Sequence, residues 1–413
     1  MRIASSVIRT SPLASDFARL HVAVTADRRE LALEYWIDLP ADLAPRRLPG
    51  DALVLMLLPL ACYFDEDIVL DEPVDALLHE NLKGVQHVWR SWYPRLSYVQ
   101  IHAPVAAPTP EGRPRGTLSS FSGGIDSFFS LLRHRDRVTH LLSIAGFNTP
   151  MDDLDNMRRD LGPIAQMLGK RHVPVRTNIR YGDNPPTPYS ITEMMCDMAH
   201  GCLLAAFAHL MQDRFDVYLI PATHHYARLH PYGSHPLTDP LFSSASLRVV
   251  HDGAAFDRIE RTEFVARSDE ALSVLHVCTR DFNHGNCSTC QKCLRTMATL
   301  DLVGARERAR SFDWSGYSLD RVATAWLPTE SERSFFIQIA RAARAQGRLD
   351  LAQSAETAIA TSQRRARQRE MRNAARLFLV RTAKSNPLTR SAWNGLKALR
   401  DRGRLLTAGK PSA

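Results

Sequence analysis

Short apolar runs and longer segments with helical spacing alternate along the middle of the chain. Continuous apolar runs of strand length predict four strands, at residues 116–121, 138–145, 173–178 and 216–220. Apolar positions three and four residues apart predict helices at residues 128–132, 152–170 and 191–212. Because strands that alternate with helices pair in parallel, this region predicts an α/β fold, with a parallel sheet and helices on both faces.

The segments on either side of this region have different patterns. Strand-like runs at 31–37 and 97–101 and a helical pattern at 74–92 predict an N-terminal α+β domain. Near the other end, Thr329 and Glu332 have the spacing of a capping box, which predicts a helix at 329–346. We therefore expect an N-terminal domain of unknown role, a proline-rich linker, the α/β domain, a helical extension and a basic tail, at residues 1–105, 106–115, 116–300, 301–360 and 361–413.

The positive charge of the chain is concentrated at its C-terminal end. The formal net charge is +8, but residues 361–413 carry fourteen Lys and Arg against two acidic residues, a net charge of +12. The preceding residues are therefore slightly acidic, with a net charge of −4. A basic tail predicts contact with a polyanion, such as nucleic acid or an anionic membrane surface; a solvated extension without a partner is the alternative.

No segment of the sequence has the pattern of a signal peptide or a membrane span. The N-terminus carries Arg2, Arg9 and Asp16 without an apolar core of its own. The longest apolar run, residues 52–62, contains a proline and is too short to cross a bilayer. We expect this run to form a buried strand or helix, and the protein to be cytoplasmic and not transmembrane.

The most informative motif is Ser-Gly-Gly-Ile-Asp-Ser at residues 122–127, between a predicted strand and a predicted helix. Glycines let the backbone approach an oxyanion closely, and the N–H groups at a helix start attract it. Two serine hydroxyls add donors, and Asp126 is a candidate ligand for a Mg²⁺ that bridges phosphates. The motif therefore predicts a phosphate site; a turn that merely caps the helix is the alternative.

The motif resembles the PP-loop of the N-type ATP pyrophosphatases. The matching residues are Ser122, Gly123, Gly124, Asp126 and Ser127. The resemblance implies an adenine nucleotide α-hydrolase-like fold, binding of ATP and Mg²⁺ by these residues, and cleavage between the α and β phosphates. It implies catalytic roles for Asp126 and Ser127, and adenine contacts through the main chain at Gly146 and Phe147, where the second predicted strand ends.

Four of the seven cysteines lie within sixteen residues, as Cys278, Cys287, Cys290 and Cys293. The spacing C-x8-C-x2-C-x2-C supplies four thiolates, which suit a structural Zn²⁺ in tetrahedral geometry. An iron–sulfur cluster also takes four thiolates and is the alternative; a set of thiols that binds no metal is less consistent with this density. Cys62, Cys196 and Cys202 lie in apolar sequence, which predicts core packing.

A PP-loop domain followed by such a cysteine knuckle resembles the 7-cyano-7-deazaguanine synthase family, over residues 116–300. The resemblance implies a structural zinc on the four cysteines and an ATP-dependent ligase. In that family a substrate carboxylate is adenylated and then attacked by a nitrogen nucleophile. Arg295, just after the knuckle, matches an arginine of the family.

The family's substrate-pocket stretch has no clear counterpart in this chain, where residues 232–243 stand in its place. From their position, Ser234, His235 and Asp239, together with Arg295, are candidates for binding the acceptor. We therefore expect a relative of that family with a different acceptor. One alternative is a tRNA-modifying enzyme, thiolating or otherwise, that binds RNA through the basic tail. Another is a nucleotide-binding regulatory protein.

Overall fold

The computed structural model describes residues 1–26, 31–106, 115–147, 154–179, 198–278 and 285–385. Its strands are β1 (Arg2–Thr10), β2 (Phe17–Ala26), β3 (Leu31–Pro40), β4 (Ile68–Val69), β5 (Val74–Asp75), β6 (Ile101–His102), β7 (Val105–Ala106), β8 (Gly116–Ser120), β9 (Val138–Ala145), β10 (Arg171–Thr177), β11 (Phe215–Pro221) and β12 (Arg248–Asp252). Its helices are α1 (Gly50–Phe64), α2 (Ala76–Trp92), α3 (Ile125–Arg133), α4 (Leu154–Met167), α5 (His200–His209), α6 (Arg258–Val265), α7 (Asp269–Val274), α8 (Gln291–Leu302), α9 (Leu319–Ala323), α10 (Glu330–Ala345) and α11 (Leu349–Ser385).

Ten of the described strands form one sheet, in the order β12-β11-β8-β9-β10-β3-β2-β1-β4-β6. Neighbours from β12 to β10 are parallel, those from β10 to β1 are antiparallel, and β4 and β6 return to parallel pairing. The sheet is mostly parallel, and β8 lies where the order of the parallel strands reverses, an arrangement compatible with a Rossmann-like fold. The predicted α/β class is confirmed, while the PP-loop assignment stays a prediction.

Helices cover both faces of the parallel strands. Leu118 and Ile220 pack on one side in a core shared with α1 and α5. Leu141 and Leu219 face the other way and pack with α3, α4 and α8. Because successive side chains on a strand point to opposite faces, strands buried on both sides are apolar throughout, which explains their continuous apolar runs in the sequence.

Helix α1 is buried along nearly its whole length although it contains Pro59. Proline has no N–H, so the carbonyl of Leu55 loses its donor within the helix. The thiol of Cys202 on α5 donates to that carbonyl over 3.2 Å. The apolar run at 52–62 is therefore a buried helix, and Cys202 packs in the core as predicted while also satisfying the carbonyl.

The N-terminal strands join the parallel strands through a short antiparallel ladder between β3 and β10. Asn178, directly after β10, extends this junction with a buried side chain. Its Oδ1 accepts the N–H of Trp36 at 2.8 Å, and its Nδ2 donates to the carbonyl of Glu34 at 3.0 Å. The sheet thus continues across the predicted boundary at residue 105, and the domain boundaries themselves stay predictions.

Some predicted elements have different bounds in the structure. Of the strand predicted at 97–101, only the last residue is in a strand, because the side chain of Gln86 takes both backbone hydrogen bonds of Val99. The helix predicted from residue 74 begins at Ala76, where Asp75 caps it. The first part of the helix predicted at 191–212, most of the predicted linker and Cys196 lie outside the described residues.

The C-terminal helices pack around an apolar core that includes Leu294, Phe336 and Leu351. The predicted capping box is present, since the side chain of Thr329 accepts the N–H of Glu332 and the carboxylate of Glu332 accepts the N–H of Thr329. No helix within the described ranges has both the length and the apolar composition needed to cross a membrane.

Helix α11 packs on this core as far as Ser362, whose hydroxyl accepts the N–H of Leu327 at 3.0 Å. The following turns carry exposed basic side chains, namely Arg364, Arg365, Arg367, Arg369 and Arg372. The predicted basic tail therefore begins within a helix that starts on the body of the protein. Residues 386–413 lie outside the described part of the chain.

We expect Asn178→Ala to lower the free energy of unfolding by about 1–3 kcal/mol, because it removes two buried hydrogen bonds, to the N–H of Trp36 and to the carbonyl of Glu34. Urea unfolding of the wild type and the variant measures the difference. Gln100→Ala, at an exposed amide side chain, is the control and should change stability little. Equal stabilities of Asn178→Ala and the wild type would contradict a structural role for this junction.

We expect the exposed arginines of α11 to support polyanion binding. Replacing Arg365, Arg369 and Arg372 by glutamine should weaken binding to an RNA duplex and make that binding less dependent on salt, because fewer counterions are released. Fluorescence titrations at low and high salt measure both effects. The matched control replaces three other exposed arginines, Arg135, Arg137 and Arg310. Equal effects of the two triple variants would show that only net charge matters and would reject a specific surface.

Candidate functional site

A cavity of about 220 Å³ opens at the carboxyl ends of β8, β9 and β11. Ligands of open α/β sheets bind at this edge, beside the strand where the order reverses. The cavity combines serine and threonine hydroxyls with apolar side chains. Its lining includes Ser122, Asp126, Ser127, Phe147, Thr223 and Ser234.

The loop between β8 and α3 forms one end of this cavity. Gly123 has φ of +73°, and a Cβ there would lie 3.2 Å from Cδ2 of Leu161, so this position requires glycine. Gly124 is the N-cap of α3 and has no side chain to cap the first N–H groups of the helix. These N–H groups are therefore available to an anion at the positive end of the helix. The predicted strand, glycine loop and helix start are all present.

Ser127 lies at the base of the loop and is buried. Its hydroxyl donates to the carbonyl of Gly124 at 2.9 Å and lies 3.4 Å from the amide nitrogen of Ser122, from which it accepts. Ser127 therefore stabilises the loop conformation in this structure, in addition to facing the cavity.

Asp126 lies in the first turn of α3, and its carboxylate is held by two arginines of α6. Its Oδ2 accepts from Nη2 of Arg258 at 2.8 Å, and its Oδ1 accepts from Nη1 of Arg261 at 2.7 Å. Burial by itself would raise the pKa of the Asp126 carboxyl, but the two guanidinium groups outweigh it and hold the pKa below its usual value. The carboxylate is therefore ionised. Arginine occupies the lone pairs that face α6, and each oxygen keeps a further lone pair.

Sequence reasoning missed both arginines as site residues. Arg261 is almost fully buried, and it donates to the carbonyl groups of Ala222 and Gly253, next to the ends of β11 and β12. The guanidinium of Arg258 donates to no carbonyl group of the described residues; it lies over the ring of Phe335, 4.9 Å from the centroid. The available signal was their spacing of three residues, which places both on one face of a helix.

Two further cations lie on α8, behind this ion pair. Arg295 is 8% exposed, and its guanidinium carbon lies 4.1 Å from the centroid of the Phe335 ring. Burial, followed by repulsion from Arg258, lowers the pKa of Arg295 to about 9. Burial and then repulsion from Arg295 also lower the pKa of Lys292. The region beside Asp126 is thus strongly electropositive.

His224 completes this region on the side of β11. Its ring is parallel to that of Phe335 at a centroid distance of 6.0 Å. Burial, and then the neighbouring His230, lower the pKa of His224 to about 3, so its imidazole is neutral near neutral pH. A neutral ring adds no charge to the cluster of cations.

Three of the four predicted acceptor-binding residues, Ser234, His235 and Asp239, are joined by hydrogen bonds, whereas Arg295 belongs to the cluster of cations. Ser234 lines the cavity and donates to Oδ2 of Asp239 at 2.6 Å. Asp239 is fully buried, and its Oδ2 also lies 2.7 Å from Nδ1 of His251. The ring of His235 packs against Trp92 at 4.8 Å. Asp239 therefore holds Ser234 through a hydrogen bond, and the backbone N–H of His235 donates to the same carboxylate at 3.1 Å.

The predicted adenine-binding residues lie at the opposite wall. Gly146 has φ of +83°, so the chain turns sharply at the end of β9. Phe147 follows and lines the cavity, with its ring stacked on that of His200 at 5.0 Å. A flat apolar surface of this kind suits an aromatic ring.

The four clustered cysteines come together, with their sulfur atoms all within 4.8 Å of one another. Four thiolates that each lie about 2.3 Å from one ion in a tetrahedron are separated by about 3.8 Å. The sulfur atoms of Cys287 and Cys293 are 3.9 Å apart, which fits a single ion. A cluster of several irons needs more room, because its cysteine ligands are divided among different irons. The four cysteines could thus hold a metal ion such as zinc.

Backbone groups around these sulfur atoms are also arranged as in a metal knuckle. The N–H of Cys290 donates to the sulfur of Cys287 at 3.3 Å, and the N–H of Cys293 donates to that of Cys290 at 3.5 Å. A hydrogen bond from the thiol of Cys293 lowers the pKa of Cys290 and raises that of Cys293. The sulfur atoms are therefore close enough to affect one another's protonation, and a metal ion bound there would require the thiolate forms.

The cysteine cluster is connected directly to the glycine loop. The N–H of His276 donates to the carbonyl of Gly123 at 2.8 Å. Asn286 ties the two halves of the knuckle, since its Oδ1 accepts the N–H of Val277 at 2.9 Å and its Nδ2 donates to the carbonyl of Leu275 at 2.7 Å. A metal ion on the cysteines would therefore stabilise the segment that supports the loop.

No protein-family model matches this chain, and neither a curated protein nor a solved structure does. The function is therefore inferred from the residues of the site. Those residues are the glycine loop, the buried cations, the lining of the cavity and the cysteine cluster.

We expect the purified protein to contain about one metal ion per chain, and Cys287→Ser and Cys290→Ser to lose it. Loss of a thiolate should also lower the melting temperature, because metal binding contributes free energy to folding. Elemental analysis and thermal denaturation measure the two effects. Cys62→Ala, at a buried cysteine outside the cluster, is the control and should keep the metal. Stoichiometric iron with labile sulfide in the wild type would reject zinc.

Proposed function

We propose that this chain binds ATP in the cavity and transfers its AMP group to an oxygen atom of an acceptor. The new bond joins the acceptor oxygen to the α-phosphorus, and the bond from that phosphorus to the bridging oxygen of the β-phosphate breaks. Pyrophosphate leaves with the electron pair of the broken bond. The observation that carries this proposal is the glycine loop at the reversal point of the sheet, with an uncapped helix start and buried cations beside it.

The loop and the arginines supply the stabilisation that this reaction needs. The negative charge on the pyrophosphate grows as the bond breaks, and fixed N–H groups and guanidinium groups lower the energy of that charge. Arg258 and Arg261 contact Asp126 in the first turn of α3, so their charges lie near the start of that helix. A carboxylate acceptor needs no general base, because it is already ionised when it attacks.

Asp126 fits the role of a magnesium ligand in this proposal. Its carboxylate is ionised, lines the cavity and keeps lone pairs that the two arginines do not use. When bound, Mg²⁺ would neutralise phosphate charge and orient the leaving group. Asp126 would hold it together with the phosphate oxygens.

The opposite wall of the cavity suits the adenine ring. Phe147 offers an aromatic face there, and Leu142 and Leu204 add apolar surface. A base placed against this wall would leave its phosphates directed at the loop. We therefore infer that Phe147 and the main chain at Gly146 hold the base, as the resemblance to PP-loop enzymes implies.

We propose zinc for the four cysteines, in a structural role. Four thiolates fill a tetrahedral ion and leave no open position for a substrate. The contact between His276 and Gly123 explains why a site for nucleotide chemistry would contain such a centre. The proposal agrees with the resemblance to 7-cyano-7-deazaguanine synthases, in which zinc is structural.

Nitrogen is favoured over sulfur as the second nucleophile. Sulfur transfer by the protein needs a reactive thiol, and the described cysteines outside the cluster, Cys62 and Cys202, are both buried in the core. Burial raises the pKa of Cys62 to about 12 and that of Cys202 well above its usual value, so neither is a thiolate at neutral pH. We therefore propose a ligase that adenylates a carboxylate or amide-type oxygen for attack by a nitrogen compound.

The exposed arginines of α11 favour a second candidate, in which the acceptor is part of an RNA. A basic helix that extends from the body could hold the phosphates of tRNA while a modified base enters the cavity. Salt-dependent titrations of the α11 arginine variants with RNA distinguish this candidate from a small acceptor.

We expect Asp126→Asn to reduce formation of AMP and pyrophosphate about 100-fold or more, because it removes the carboxylate that is proposed to hold Mg²⁺ against the leaving pyrophosphate. The assay supplies ATP, Mg²⁺, ammonium and a pool of carboxylic acids. Asp160→Asn, which removes the same charge at another point on the cavity lining, is the matched control and should retain activity. Production of ADP and phosphate instead of AMP and pyrophosphate would contradict the proposed reaction.

Asp126→Asn is also expected to be less stable, since it leaves two buried guanidinium groups without their carboxylate. Activities are therefore compared well below the melting temperature of each variant. Retained turnover in a folded Asp126→Asn variant would reject the proposed role of this residue.

A further inference from the structure

The C-terminal helical extension contributes a side chain to the cluster of cations. Phe335 on α10 is 4% exposed. Arg258 and Arg295 both lie over its ring, at 4.9 Å and 4.1 Å from the centroid. Arg258 is further tied to α10, because its backbone N–H donates to Oε1 of Gln338 at 2.8 Å. An aromatic face attracts guanidinium groups and fixes their planes, so Phe335 sets the positions of both arginines.

Positive charge in this region exceeds the negative charge in contact with it. Arg258, Arg261 and Arg295 are each more than nine-tenths buried, and Lys292 precedes Arg295 by one helical turn. Within the described ranges, the one carboxylate in ion-pair contact with any of these four cations is that of Asp126. Asp126 pairs with Arg258 and Arg261, and the carboxylate of Glu332 attracts Arg295 only from beyond ion-pair distance. A buried cation without a contacting anion is costly, so the structure implies a further anion beside Arg295.

Arg295 has the largest unused capacity for hydrogen bonds. In the described part of the chain its guanidinium makes no hydrogen bond, and its buried Nε has no partner. Among the described residues, the buried Nε atoms of Arg258 and Arg261 likewise have no hydrogen-bond partner. Guanidinium groups offer several donors in one plane, an arrangement that matches the oxygens of phosphate. An anion with two or more negative charges and tetrahedral oxyanion groups would balance the charge of the buried cations and accept hydrogen bonds from their N–H groups.

We propose that Arg295, held on Phe335 of the C-terminal extension, forms with Arg258 and Lys292 a subsite for the pyrophosphate portion of a bound nucleotide. This inference rests on the proposed ATP site and adds a role for α10. Arg295 is a binding residue in this account, and Phe335 is a positioning residue. The C-terminal helical extension is then part of the site, although it follows the α/β domain that carries the glycine loop and the cysteines.

The test uses the full chain and inorganic pyrophosphate as the probe, with calorimetric titration of the wild type and four variants. Arg295→Gln and Phe335→Leu are expected to weaken pyrophosphate binding about tenfold or more, because they remove a donor group or the face that holds it. Phe335→Tyr keeps an aromatic face and should bind nearly as the wild type does. Phe336→Leu is the matched control: it alters the adjacent, fully buried ring of α10, which packs in the apolar core.

The expected result is weaker binding in Arg295→Gln and Phe335→Leu, with Phe336→Leu unaffected in affinity even if its melting temperature falls. Equal losses in Phe335→Leu and Phe336→Leu, or unchanged affinity in Arg295→Gln, would overturn the subsite. ATP binding by the wild type would uphold the proposed function even then.

A competition titration with ATP identifies the source of the anion. Displacement of pyrophosphate by ATP supports the subsite as part of the nucleotide site. If ATP and pyrophosphate bind at the same time, and pyrophosphate binding still depends on Arg295, the subsite is not part of the nucleotide site. It would then hold a phosphate group of the acceptor. Pyrophosphate binding that depends on Arg295 and Phe335 in a protein that does not bind ATP would support the anion subsite and reject the proposed function.

Discussion

The ion pair between Asp126 and two buried arginines constrains the rest of the site. Arg261 is anchored to carbonyl groups near the ends of β11 and β12, and Arg258 to the ring of Phe335. The carboxylate therefore connects the glycine loop to the sheet and to the C-terminal extension. Charges removed from water are stable only while they stay paired. If one partner moved away, the others would be left as unpaired buried charges, which is costly in free energy. The loop and the cluster of cations consequently keep one arrangement.

The cysteine cluster supports the same loop from the other side. A hydrogen bond from His276 to Gly123 joins the chain just before Cys278 to the turn where a positive φ is required. The loop is thus held at Asp126 by charge and at Gly123 by a segment that a metal ion would stabilise. Such rigidity is useful where donors must already be in place when charge develops on a leaving group.

Local patterns in the sequence predicted the elements that are determined by interactions between residues close together in the chain. The strand at 138–145, the glycine loop and the capping box of Thr329 follow from spacing and residue type alone. The joining of β3 to β10 and the contact between Phe335 and Arg295 could not be predicted, because they bring together residues far apart in the chain. Arg258 and Arg261 were visible as helical neighbours, but their role depends on Asp126, more than 130 residues earlier.

The junction at Asn178 has a consequence for the order in which the molecule folds. Glu34 and Asn178 are separated by 144 residues. During synthesis, the N-terminal strands leave the ribosome with β3 as an unpaired edge, and β10 becomes available only much later. Long-range strand pairing is slow, and an open edge invites pairing with other chains. The interval before β10 arrives is therefore the period in which the nascent chain is most exposed to aggregation and most in need of a chaperone.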